Sequence, residues 1–416
     1  MPVLLVLALF MSGCGDLLGS KSDSTTDEIF EAGRIEPGLI NEAEYVPLFP
    51  FFSIGGDGSA LQNPQDVYVG YDEFIYVVDE RGLHVLDRAG RPANFIGIQG
   101  GGTSVIQDRS LDLYVTARRD TLLNGRTWNL AVVYKYTGIT TGSPTISNII
   151  WHPFDEESRR FNLPDPIDTD EEVAFTSVGI LFNSDVDFAN SIYVARQGPV
   201  NDRASVIRPH NTVLEFNGDG LNTNALVALS STQASLLSSV NPTDVLTFIH
   251  PPQRSTFSDD KSFLLAQAAN EGEGRLRFGV LSIRAVETPD GIVYQPDTQK
   301  ILLSGVSERG DGFLYDEFKF NRPAGLAFAA DASQYIFAID SGSDSLFVFT
   351  SSGIEGVAPP PGSNSTKPVV VSFGGRGDGA LQFNNPQGVS YSDRIVYVAD
   401  AGNNRISRFR LNTDFE

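Results

Sequence analysis

The sequence predicts an all-β fold assembled from repeated sheets, and three observations carry that reading. Composition is the first. Forty glycines, 28 phenylalanines and 13 tyrosines stand beside only two methionines, and runs of Ala, Leu, Glu and Lys are few. The second is a segment that recurs. Ser372 to Phe409 reads SFGGRGDGALQFNNPQGVSYSDRIVYVADAGNNRISRF, with close copies at Gly55–Glu80 and Glu308–Phe349. The third is spacing: Pro64 and Asp79, Pro323 and Asp340, and Pro386 and Asp400 keep nearly the same separation. Self-similarity of this kind marks stacked supersecondary units that bury their faces against one another.

Each part of the unit has a physical reason. Gly374, Gly375, Gly377 and Gly379 cluster where the chain must turn between units. Pro386 fixes φ at the start of an inner strand and keeps the residue before it out of helix. Ile395–Ala399 is an unbroken apolar run, as a strand covered on both faces requires. Asp400 ends it, Ala401–Asn404 has the composition of a tight turn, and Arg405 is spaced to pair with Asp400. Both residues are expected to serve the turn and not catalysis.

The unit resembles an NHL repeat, one blade of a β-propeller. That resemblance implies a rigid disc whose loops and axial channel bind a partner, commonly a protein. It also implies that Gly388 leaves space where strands crowd toward the axis. A fourth copy starts at Asn241-Pro242-Thr243-Asp244-Val245, mirroring Asn63-Pro64-Gln65-Asp66-Val67, and leads to Ser262–Ala268 without a final Asp. Two weaker units run from Thr103 to about Pro153 and from Ala174 to about Ser230, and Arg196 stands where the second would have its Asp. The expectation is a six-bladed β-propeller over residues 46–416, with blades starting near residues 65, 103, 174, 243, 323 and 387. The sixth unit lacks an outer strand, while Val46–Ile54 precedes the first glycine turn with no sheet of its own. These two are predicted to pair, Val46–Ile54 beside Ile406–Arg410, closing the ring without a covalent link.

Six blades leave about 62 residues each, above the roughly 40–50 of compact propeller repeats. The excess is read as long loops: Arg118–Arg126, Phe154–Glu172, Gly198–Asn211, Pro251–Asp260, Asn270–Arg275, Ser304–Asp311 and Gly356–Lys367. Long loops on a compact scaffold are often functional.

The amino-terminal stretch MPVLLVLALFMSGCGDLLGS addresses location. Val3 to Phe10 is apolar but too short to span a bilayer, and small residues follow it, as in a secretory signal. Met11-Ser12-Gly13-Cys14 resembles a bacterial lipobox, and Cys14 is the single cysteine of the chain. Residues 1–13 are therefore expected to be a lipoprotein signal peptide, Cys14 the lipidated residue, and residues 14–45 a flexible acidic tether. The resemblance, with Gly15 and not Asp after the cysteine, implies a lipid-anchored protein of the cell envelope at the outer membrane. A net charge of −22 excludes nucleic acid as a partner, because counterion release needs clustered Lys and Arg.

Candidate chemistry is sparse. The four histidines, His84, His152, His210 and His250, do not converge in the repeat register, so a catalytic zinc is not expected. Inner-strand ends offer Asp108, Asn183, His250 and Asp331 as a set that could face one mouth of the channel. No nucleophile elbow, phosphate-cradling Gly-Lys-Ser/Thr loop, HExxH or CxxC is present. No cofactor is assigned. The expected function is a monomeric, lipid-anchored binding or scaffolding protein that takes a protein or other envelope ligand. The alternative is a propeller hydrolase or lyase with a divalent metal in the channel.

Overall fold

The computed structural model describes residues 43–139, 142–153, 166–182, 190–198, 211–225, 239–248, 261–269, 274–289, 291–301, 303, 312–360, 363 and 366–414. Among these, six four-stranded antiparallel sheets account for almost all regular structure. Helix is confined to Thr298–Ile301 and a few 3₁₀ turns. The inner strands are Asp66–Val69, Gly102–Gln107, Ala174–Phe182, Pro242–Thr247, Pro323–Phe328 and Pro386–Ser392, within one residue of the predicted starts. Each inner strand contacts the next, and that of blade 6 contacts that of blade 1. The sheets therefore stand radially as a closed six-bladed propeller.

Within a blade the four strands follow sequence order from axis to rim, with one exception. The outer strand of blade 6 is Tyr45–Pro47, paired antiparallel to Arg405–Leu411. Its register matches Tyr45 with Leu411, Val46 with Arg410 and Pro47 with Phe409. The predicted closure is present, but regular pairing is shorter than Val46–Ile54. Pro50 has no N–H to give a ladder, and the pairing resumes only at Phe52, which exchanges two backbone bonds with Ile406 at 3.0 and 2.7 Å. Arg408 spans the interruption: its Nη2 donates to the Pro50 carbonyl at 2.9 Å, and its guanidinium lies 4.0 Å above the Phe52 ring. Phe51 meets Phe409 with ring centroids 6.0 Å apart.

The core lies between the sheets. One layer joins Phe337, Ile339 and Val348 of blade 5 to Val389, Val398 and Phe409 of blade 6, all buried. Second strands such as Ile75–Asp79 and Ile336–Asp340 are buried at every position, which is why they read as continuous apolar runs and not as alternation. Each such Val, Ile or Phe contributes roughly 1.5–3 kcal/mol on leaving water.

Antiparallel order fixes which connections share a face. Inner strands all start at what is termed the leading face, where links from second to third strand and from blade to blade also fall. The chain leaves and re-enters the sheets at this face between Trp151 and Ala174, Gln197 and Thr212, Ala225 and Pro242, Gln267 and Val280, and Pro296 and Pro323. From second to third strand the links of blades 5, 6 and 1 are tight turns, Asp340 to Ser345, Asp400 to Arg405 and Asp79 to Gly82, while Gly374 to Pro386 and Pro47 to Asp66 carry the chain from blade 5 to 6 and from 6 to 1.

Candidate functional site

Two sets of polar side chains are built into the disc, one at the leading face and one on the axis. At the leading face each regular blade ends its second strand in a buried carboxylate. Asp79 Oδ2 accepts the Gln62 N–H at 2.9 Å, Asp340 Oδ2 the Asn321 N–H at 2.8 Å, and Asp400 Oδ1 the Asn384 N–H at 2.8 Å. Each of these donors lies two residues ahead of Pro64, Pro323 or Pro386, so the carboxylate fixes the turn that leads into the inner strand. In the fourth unit, which lacks the Asp, Gln267 Oε1 accepts the Val240 N–H at 3.0 Å two residues ahead of Pro242. Arg405 Nε donates to Asp400 at 2.8 Å, and its two terminal nitrogens donate to the carbonyls of Asp378, Gly379 and Gln382. Burial raises the Asp400 carboxyl, against the hydrogen bonds that favour its charge. Asp79 Oδ1 also lies 2.9 Å from His84 Nε2, and His84 Nδ1 accepts the Gly56 N–H at 3.1 Å. Both ring nitrogens of His84 are thus used within the third strand of blade 1. His152 is buried beside Arg196, at 3.4 Å, in the space between blades 2 and 3.

On the axis the six inner strands enclose a cavity of about 90 Å³. The second residue after each leading position faces it: Asp66, Ser104, Ser177, Asp244, Gly325 and Gly388 in blade order. Asp66 and Asp244 are therefore three blades apart, across the axis from one another. The two glycines are needed for space. A Cβ on Gly388 would lie 2.5 Å from Asp66 Oδ1, and one on Gly325 would lie 2.7 Å from the Gln387 carbonyl. Asp66 Oδ1 accepts the Val67 N–H at 2.8 Å and its Oδ2 accepts the Val105 N–H at 3.0 Å. Asp244 Oδ1 accepts from Ser177 Oγ at 2.5 Å and from the Val245 N–H at 2.9 Å, while Oδ2 accepts the Leu326 N–H at 2.6 Å. Threonines continue the ring: Thr103, Thr176 and Thr243 donate to the carbonyls of Phe175, Pro242 and Pro323 on the following blade. Asp66 and Asp244 are half-buried, and both line the cavity. Burial raises Asp66 to about 7, with the Asp244 charge adding to it, and raises Asp244 to about 6.

Of the predicted channel-mouth set, the two described members, Asp108 and Asp331, do not line this cavity. Asp108 Oδ1 caps its own turn, accepting the N–H of Ser110 and Asp112, and Oδ2 accepts from Tyr114 and Asn190. Asp331 likewise accepts from the Ser333 N–H at 2.9 Å and from Tyr391 Oη at 2.5 Å. Neither belongs to the cavity lining. Asn183, His250 and Cys14 lie outside the described residues. The register placed the right strands but chose their far ends, where short polar residues bond their own backbone. A usable signal was present: the copies at residues 63–67 and 241–245 carry Asp where Pro323-Ala324-Gly325 and Pro386-Gln387-Gly388 carry Gly.

Among the described residues no group of three or more His, Cys, Asp or Glu is placed to hold a metal ion, and the axis offers two carboxylates.

The six radial sheets with an axial polar ring define a β-propeller. The NHL repeat family matches residues 383–409, the inner, second and third strands of blade 6, so this blade is similar to an NHL repeat. No curated protein matches the chain. Among solved structures, a protein of unknown function from Bacteroides thetaiotaomicron is similar at 13% identity and TM-score 0.50, over 89% of this chain and 77% of that one. An auxiliary nutrient binding protein from the same organism is similar at 11% identity and TM-score 0.49, over 89% and 73%. Another from Bacteroides ovatus gives 11%, 0.49, 89% and 78%. At such identities the likeness concerns the fold alone.

Proposed function

We propose that the chain is a lipid-anchored binding protein of a bacterial cell envelope, which engages a protein or other envelope ligand through the leading face of blades 2 to 4. The observation that carries this reading is the uneven distribution of connections. The two longest blade-to-blade links, Trp151 to Ala174 and Pro296 to Pro323, and the long second-to-third-strand links, Gln197 to Thr212 and Gln267 to Val280, all belong to the arc from blade 2 to the start of blade 5, while the second-to-third-strand links of blades 5, 6 and 1 are tight turns. Binding residues concentrate on loops held by a rigid scaffold. The small axial cavity, whose two carboxylates serve as acceptors that tie neighbouring inner strands together, supports binding over chemistry in the channel.

Anchoring rests on Met11–Cys14 and on the single cysteine. Tyr45 pairs with Leu411 at the trailing end of blade 6, so a tether over residues 14–45 would join the disc on the side away from the long links. A flexible tether of about 30 residues spans roughly 30 Å, enough to clear a lipid surface.

Two measurements test this. Cells fed labelled palmitate are expected to label the wild-type chain and leave it with the membranes, whereas Cys14→Ser takes no label and becomes soluble. Replacing residues 199–210 and 226–238 with short glycine links is expected to abolish capture of ligand from envelope extracts without moving the melting midpoint. Membrane retention of Cys14→Ser, or undiminished capture after loop replacement, would overturn the corresponding half.

A further inference from the structure

Asp66 and Asp244 do more than line the axis. Each ties its own blade to a neighbour: Asp66 takes the Val105 N–H of blade 2, and Asp244 takes the Leu326 N–H of blade 5 and the Ser177 hydroxyl of blade 3. No Lys, Arg or His lines their cavity, and the other titratable groups there are the phenols of Tyr68 and Tyr391. Beyond these phenols the nearby charges are again carboxylates, Asp72 and Asp108 toward Tyr68 and Asp331 on Tyr391. Two ionised aspartates would share one narrow cavity with no cation to offset them, which is costly where solvent screening is reduced.

We propose that Asp66 and Asp244 form a proton-operated latch on the propeller ring: carrying protons they let the inner strands close around the axis, and losing them loosens that closure. The direction of their titration agrees, since burial raises both, to about 7 and about 6. The sign follows from linkage. A carboxyl that holds its proton more tightly folded than unfolded contributes full stability below the unfolded value near 4, and loses it as pH rises through about 6 to 7. Tightness of the disc would thus depend on the acidity of its compartment.

The test is thermal melting of the whole chain between about pH 5 and pH 8, for wild type, Asp66→Asn, Asp244→Asn and the double variant. Asparagine imitates the neutral carboxyl. Wild type is expected to melt several degrees lower at pH 8 than at pH 5, and the double variant to lose most of that difference and melt above wild type at pH 8. An equal pH dependence in both proteins, or a wild type more stable at pH 8, would overturn the latch. Should the variants not fold, infrared spectra of the wild type decide. A protonated-carboxyl band that persists at about pH 5 and vanishes between about pH 6 and 8 is expected, and its absence at pH 5 refutes the proposal.

Discussion

Blades 5, 6 and 1 and blades 2 to 4 solve the same geometric problem with different residues. In the first arc a buried Asp closes each leading turn: Asp340, Asp400 and Asp79. In the second, Gln267 does this for blade 4, while Arg118 lies within the long second strand Leu113–Leu123 of blade 2, one residue past the partner of Gly102, and Arg196 of blade 3 pairs with Phe175. Arg118 donates to the carbonyls of Glu171 and Val173, so it grips the chain entering the next blade instead of its own turn. What stays constant is the contact between successive inner strands, which Thr103, Thr176 and Thr243 reinforce in the irregular arc. The comparison teaches that the inner strands hold the disc, which frees the leading-face connections of one arc to lengthen.

Breaking the regular arc should have the largest effect. Deleting residues 43–54 removes the fourth strand of blade 6 and is expected to unfold or oligomerise the chain, seen by melting and size-exclusion chromatography. A monomer with unchanged melting would contradict ring closure. Next, Asp400→Ala strands the Arg405 guanidinium and the Asn384 N–H, and should cost about 3 kcal/mol in denaturant unfolding. Gln267→Ala, its counterpart in the other arc, should cost less, about 1–2 kcal/mol, since no charge is left unpaired. Equal losses would erase the distinction between the arcs.

Acid sharpens the same contrast. In Asp79, burial is outweighed by hydrogen bonds from His84 and from the N–H groups of Gln62 and Arg81, and the carboxyl is held below its usual range. A depressed carboxyl contributes stability above its unfolded value near 4, and that stability is lost as pH falls below it. Asp79→Asn should therefore flatten the acid limb of the stability profile, the opposite limb from the one the axial pair controls. An unchanged acid limb would remove Asp79 from the account.

On the axis, Gly388→Ala should cost roughly 1–3 kcal/mol by crowding Asp66, whereas Ser104→Ala should cost about 1 kcal/mol. The smallest effect belongs to the irregular arc's surface. Arg126, half exposed, pairs with Asp168 at 2.5 Å and Glu171 at 2.9 Å, and Arg126→Ala should leave the melting midpoint nearly unchanged.

Much of the fold was legible because a closed ring forces local and global signals to agree. Leading prolines, apolar second strands and strand-end aspartates recur with the blade, and even the missing strand of blade 6 pointed to Tyr45–Pro47. The site was less legible. Asp108 and Asp331 look like channel residues in register, yet short polar side chains at strand ends bond their own turns. Asp66 and Asp244 sit one step inside the repeat, where their meaning depends on facing each other across six blades. Sequence neighbours do not report that relation.

The most direct test of the closed ring is hydrogen exchange at its seam. Phe52 and Ile406 bond each other across it, and Leu48 donates to Arg408 at 2.8 Å. These three amides should exchange as slowly as those of Ile395–Asp400 inside the same blade. Exchange at the rate of an unstructured chain, with Ile395–Asp400 still protected, would show that the amino-terminal segment does not close the disc.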